Sequence, residues 1–110
     1  MAVTPDGTRA VTTSWDETVI VWDLATGLET ARFTGHTDWV NAVAVTPDGT
    51  RAVTASWDKT ARIWNLDSGV ETARFTGHTR RINSVAVTPD GTRAVTASYD
   101  DTARVWLLPV

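Results

Sequence analysis

A ten-residue string, VTPDGTRAVT, begins at Val3, again at Val45 and again at Val87, so the chain repeats itself every 42 residues. Residues 3–44 and 45–86 are identical at 29 of 42 positions, and residues 45–68 and 87–110 at 18 of 24. A fixed period in this range means stacked supersecondary units, each of which needs its neighbours to bury an apolar face. Identity this high points to recent duplication or to design.

Each unit reads as four short strands. In the middle copy, Val40–Val45 (VNAVAV) is an apolar run ended by the turn Thr46-Pro47-Asp48-Gly49. Arg51–Ser56 (RAVTAS) follows, then the turn Trp57-Asp58-Lys59, a third strand over 60–65, a turn at Asp67-Ser68-Gly69, and a fourth strand over 71–76. Pro-Asp-Gly and Ser-Gly are turn chemistry: proline presets φ and glycine accepts positive φ. No window sustains a 3.6-residue apolar period of comparable length. The inner strands are apolar on both faces, which predicts sheets covered on both sides. Their many alanines allow neighbouring sheets to approach closely, as radial stacking requires.

With 42% apolar residues and six tryptophans, the chain can build a core dominated by aromatic rings. The net charge of −3 offers no broad attraction to nucleic acid or anionic membranes. Absence of cysteine rules out disulfides and thiolate metal sites, and it fits a reducing cytoplasm. No apolar stretch approaches the ~20 residues of a membrane span, and MAVTPDG lacks the basic and apolar regions of a signal peptide.

Three sets of residues then narrow the class. Gly-His pairs stand at Gly35-His36 and Gly77-His78; an aspartate occupies the second turn at Asp16, Asp58 and Asp100; and a tryptophan closes the third strand in Trp22-Asp23, Trp64-Asn65 and Trp106-Leu107. In this the chain resembles the WD40 repeat family along essentially its whole length. Two copies depart from the Trp-Asp pair at its second residue, leaving the packing tryptophan in place. The resemblance implies an all-β fold of WD40-type β-propeller blades, each a four-stranded antiparallel sheet. It also implies a buried hydrogen-bonded chain in each blade. The middle blade would use His36, Thr54 or Ser56, Asp58 and Trp64, and the third His78, Thr96 or Ser98, Asp100 and Trp106. Thr54 and Ser56 share a strand face, so the sequence does not choose between them. The first blade has Thr12, Ser14, Asp16 and Trp22 with no preceding histidine.

Serine or threonine with histidine and aspartate also suggests a catalytic triad, but a triad is defined by geometry and roles. A set that recurs in every repeat beside tryptophan reads as structural. Two histidines 42 residues apart make no metal site without further ligands, and phosphate-binding glycine loops and the Gly-x-Ser-x-Gly motif are absent. The expectation is a chain without catalytic residues, metal or cofactor.

The three third-strand tryptophans count three blades begun, at about 1–36, 37–78 and 79–110, the terminal ones incomplete. Closed propellers have ~4–8 blades, at ~40–45 residues each. The expected architecture is therefore a partial ring of about two and a half to three blades, completed by homo-oligomerisation. A head-to-tail contact that closes would do this; a dimer gives six blade positions and is favoured, a trimer the alternative. The open edge of Val105–Leu108 is expected to be covered by the Pro109-Val110 tail, by a partner's N-terminal stub, or by an edge-to-edge contact between rings.

The resemblance further implies a narrow top face where a protein or peptide docks, built from residues just before the turn aspartate and at the start of the inner strand. Here these are Trp15, Trp57 and Tyr99, with Asp38-Trp39 and Arg80-Arg81. Trp, Tyr and Arg are the types enriched at binding hot spots; the competing reading is that the rings pack on one another over their own turns. The functional expectation is a non-enzymatic protein-interaction scaffold, with a designed or excised structural fragment that binds nothing specific as the rival.

Overall fold

A computed structural model describes residues 1–109 of the chain. Eleven strands follow one another: β1 (Ala2–Val3), β2 (Arg9–Thr13), β3 (Val19–Asp23), β4 (Glu29–Phe33), β5 (Val40–Val45), β6 (Arg51–Ser56), β7 (Ala61–Asn65), β8 (Glu71–Phe75), β9 (Ile82–Val87), β10 (Arg93–Ser98) and β11 (Ala103–Leu107). They form three antiparallel meanders: β1-β2-β3-β4, β5-β6-β7-β8 and β9-β10-β11. The first strands of the three sheets, β1, β5 and β9, lie beside one another. No helix of the described residues is long and apolar enough to cross a membrane.

The repeated string explains the first turn of every sheet. In Thr46-Pro47-Asp48-Gly49-Thr50, one carboxylate oxygen of Asp48 accepts from the Thr46 hydroxyl (2.6 Å), the Thr50 amide (3.0 Å) and the Thr50 hydroxyl (2.8 Å). The Gly49 amide donates to the Thr46 carbonyl at 2.8 Å, and Gly49 itself has φ +73°, a left-handed conformation that glycine adopts without steric cost. Asp6 and Asp90 repeat the arrangement.

The hydroxyl and amide donors hold the Asp6, Asp48 and Asp90 carboxyls at about 2, below the ordinary 3.8. A carboxyl depressed in the folded state stabilises the fold above its ordinary value, and that contribution is lost as the pH falls toward the depressed one. The urea midpoint should therefore fall between pH 3.8 and 2, and Asp48→Asn should flatten that fall while lowering the midpoint at neutral pH. An unchanged acid profile in Asp48→Asn counts against these turns as acid-labile elements.

Between sheets, the packing repeats as the turns do. Val11, Val19, Val21 and Phe33 of the first sheet bury themselves against Ala52, Trp64 and Leu66 of the second. Val53 and Ile63 of the second sheet meet Ala94 and Leu108 of the third, with Phe75 and Val85 packed alongside. The third-strand tryptophans of the second and third sheets lie on the outer-strand phenylalanine of the preceding sheet: Phe33 and Trp64 stack at 5.3 Å, Phe75 and Trp106 at 4.9 Å. Gly35 leaves room for its neighbours: a Cβ there would sit 2.9 Å from a guanidinium nitrogen of Arg62 and 3.0 Å from the Trp64 ring, so one or both would have to shift.

Two strand bounds differ from the sequence reading. Strand β7 begins at Ala61, since Thr60 instead binds Asp58 through its amide at 2.9 Å. Strand β8 ends at Phe75 rather than at residue 76. The C-terminal segment turns inward: Leu108 is buried, its amide donates to the Thr92 carbonyl at 2.8 Å, and the Pro109 carbonyl accepts from Arg51. Val110, named above as part of the tail and of the third blade, lies outside the described residues.

Candidate functional site

Two constellations stand out, one buried and one on the surface. The buried one begins at Asp58, in the turn between β6 and β7. Its Oδ2 is 2.8 Å from His36 Nδ1, and His36 Nε2 is 2.7 Å from the Thr54 hydroxyl. Trp64 Nε1 donates to the same hydroxyl oxygen at 2.8 Å. With the imidazole proton on Nδ1, facing the carboxylate, every donor in the line finds an acceptor: tryptophan to threonine, threonine to histidine, histidine to aspartate. His78, Asp100, Thr96 and Trp106 repeat the line with the same distances. In the first sheet only Trp22 to Thr12 remains, at 2.8 Å.

The sequence left Thr54 and Ser56 as alternatives; the structure puts Thr54 in the line, and Thr96 rather than Ser98 in the third sheet. Ser56 instead donates to the Asp38 and Trp39 carbonyls, at 3.2 and 2.9 Å, and accepts the Asp58 amide. Ser98 does the same for Arg80 and Arg81. These serines pin the segment leading into the inner strand against the turn that carries the aspartate.

Burial alone would raise the Asp58 carboxyl; hydrogen bonds from His36 and Thr60 outweigh it and hold the group well below the ordinary range. For Asp100 the Thr102 hydroxyl is the leading cause of a similar lowering, with His78 and the Thr79 and Thr102 amides assisting against burial. Asp58, His36 and Thr54 have triad-like spacing, yet Thr54 has no exposed surface and its oxygen already serves tryptophan and histidine. A substrate carbonyl has no route to it. No group of three or more His, Cys, Asp or Glu side chains among the described residues could hold a metal ion.

The surface constellation is a ridge of rings. Trp15 lies 4.9 Å from Trp39, and Trp39 4.6 Å from Trp57. The Arg81 guanidinium then sits 4.3 Å from the Trp57 ring and 4.4 Å from the Tyr99 ring. The order alternates between turns and inner-strand starts, so the ridge crosses all three sheets. Backbone bonds set the alternation: the Trp57 amide donates to the Trp39 carbonyl at 2.9 Å, and the Tyr99 amide to the Arg81 carbonyl at 3.1 Å. The rings pack on one another, and Trp15 is 77% and Tyr99 47% exposed. Asp38 and Arg80 flank the ridge and are exposed, Asp38 accepting the Trp39 amide at 2.7 Å.

Beside the ridge, Lys59, Thr79, Arg80 and Arg81 line an open depression of about 360 Å³. Lys59 and Thr79 were not singled out by sequence reasoning. The signal was present: Lys59 is the chain's sole lysine, and it stands where the other two repeats have Glu17 and Asp101.

Antiparallel sheets of three or four strands stacked face to face about neighbouring inner strands, two of them tied by a Trp–Thr–His–Asp line, are β-propeller blades. The family model for the WD domain, G-beta repeat, matches residues 1–23, 27–65 and 69–106, and the chain belongs to the WD40 family. No curated protein matches the chain.

Proposed function

We propose that the chain is a non-enzymatic protein-interaction scaffold that docks a protein or peptide along the ridge from Trp15 to Tyr99. The observation that carries this reading is where the repeat breaks. Residues that pack between blades are kept or exchanged for another apolar residue, as in Phe33 and Phe75, or Val21 against Ile63, whereas Asp38-Trp39 against Arg80-Arg81 change charge and shape, beside Trp57 against Tyr99. A fold held by repetition has no need of those differences; aromatic side chains supply large, rigid contact area at low conformational cost, and arginine is enriched with them at binding hot spots.

In the same reading, the 110-residue chain completes its blades with a second copy. The front of the first sheet is left uncovered, with Leu24 48% exposed where its equivalent Leu66 is 2%; the back of the third is uncovered at Val105, 65% exposed where Ile63 is fully buried. These are the two halves of one interface that the chain already makes twice. Head-to-tail pairing of two copies brings them together, and six blade positions fall inside the range of closed rings.

Peptide selection from a random phage-displayed library on the immobilised chain tests the ridge. Selected peptides should lose about tenfold or more in affinity on Trp57→Ser, as expected for an interface anchor. Trp15→Ser should weaken them while leaving stability within ~0.5 kcal/mol, the range of surface substitutions. Selected peptides that bind Trp57→Ser as tightly as the parent would place the docking face elsewhere, and a selection that yields no binder favours a fragment without a specific ligand.

A further inference from the structure

We propose that the seam between the second and third blades takes a carboxylate: the partner segment is an extended acidic peptide, clamped by Arg81. The inference rests on the reading of the ridge as the docking face. The Arg81 guanidinium carbon lies over two rings, 4.3 Å from the centroid of Trp57 and 4.4 Å from that of Tyr99. Its edge, which carries the N–H donors, has no hydrogen-bond or ion-pair partner among the described residues. A guanidinium seated against two rings with its N–H donors unpartnered can receive a planar carboxylate through two parallel bonds.

The setting agrees in charge. Lys59 and Arg80 line the same depression as Arg81, and neither has a carboxylate within 4 Å among the described residues. Four of the other arginines are matched, Arg9 with Asp67, Arg32 with Glu29, Arg62 and Arg74 with Glu71, while Arg51, Arg93 and Arg104 have no carboxylate within 4 Å among the described residues and do not line this depression. On a chain of net charge −3, three unmatched cations around one depression are a local inversion of sign. The three positions that create it are Arg80 and Arg81 in place of Asp38 and Trp39, and Lys59 in place of Glu17 or Asp101, so it exists at this seam and not at the seam between the first and second blades.

Fluorescence anisotropy with a labelled (Glu-Ser)5 peptide and its (Gln-Ser)5 counterpart tests the proposal at low salt. The glutamate peptide should bind about tenfold or more tightly than the glutamine peptide, and less tightly as salt rises. Arg81→Gln should remove most of that advantage, and Arg81→Lys, which keeps the charge without the fork, part of it. Melting curves establish that each variant is folded. Equal binding of the two peptides, binding of neither, or a glutamate advantage that survives Arg81→Gln overturns the carboxylate assignment. So does displacement of the glutamate peptide by inorganic phosphate at far lower concentration than by acetate, which would mark a phosphate site. The ridge reading fails separately, if Trp57→Ser leaves the affinity of library-selected peptides unchanged.

Discussion

Replacing Trp64 by alanine should destabilise the chain by about 3–5 kcal/mol, as measured by urea unfolding. Two losses combine. The ring, 2% exposed, leaves a void between Phe33, Ala52 and Leu66. Its Nε1–H no longer reaches Thr54, and the buried line through His36 to Asp58 loses its first member. Thr54→Val, which keeps the shape and removes the hydroxyl, separates them: Trp64 and His36 are then left with buried polar atoms unpaired, for about 1–3 kcal/mol. Because a small domain is stable by only ~5–15 kcal/mol, Trp64→Ala should remove a large share of the chain's stability. A Trp64→Ala chain that melts with the parent would remove the buried line from the account of stability.

The second large effect is expected at the open faces. Val105→Asp puts a charge in the place where Ile63, in the preceding blade, is fully buried. Leu24→Asp does the same on the opposite face, where Leu66 is the buried equivalent. In an isolated chain both positions are exposed, and each substitution should change stability by no more than ~0.5 kcal/mol. In a head-to-tail assembly each buries an unpaired carboxylate against apolar surface, costing several kcal/mol, and should dissociate it. The melting temperature of the parent should rise with chain concentration, as mass action requires, and that of either variant should not. Concentration-independent melting of the parent is the contrary result.

Much of this was legible in the sequence because a repeat fixes equivalent residues in equivalent places. The turns around Asp6, Asp48 and Asp90, the strands between them and the tryptophan on each third strand all follow from one string and its period. The choice of Thr54 over Ser56 was not legible. Both point to one face of β6, and only the reach of the Gly35-His36 segment from the preceding blade decides which hydroxyl the imidazole meets. Nor was Lys59 legible as a neighbour of Arg80 and Arg81. They lie more than twenty residues apart, and the pocket they share arises where two blades meet. The ridge was half legible: its aromatic members stood out, but the role of Arg81 as the link between Trp57 and Tyr99 depends on the spacing of blades, which no single repeat encodes.

One interface accounts for the packing within the chain, and the proposal extends it to packing between chains. Native mass spectrometry of the 110-residue chain at micromolar concentration tests that extension directly. The account predicts a closed assembly at a whole multiple of the 11.9 kDa chain, with two copies the leading species. A stable, folded species at 11.9 kDa, unchanged as the concentration is raised, would contradict it.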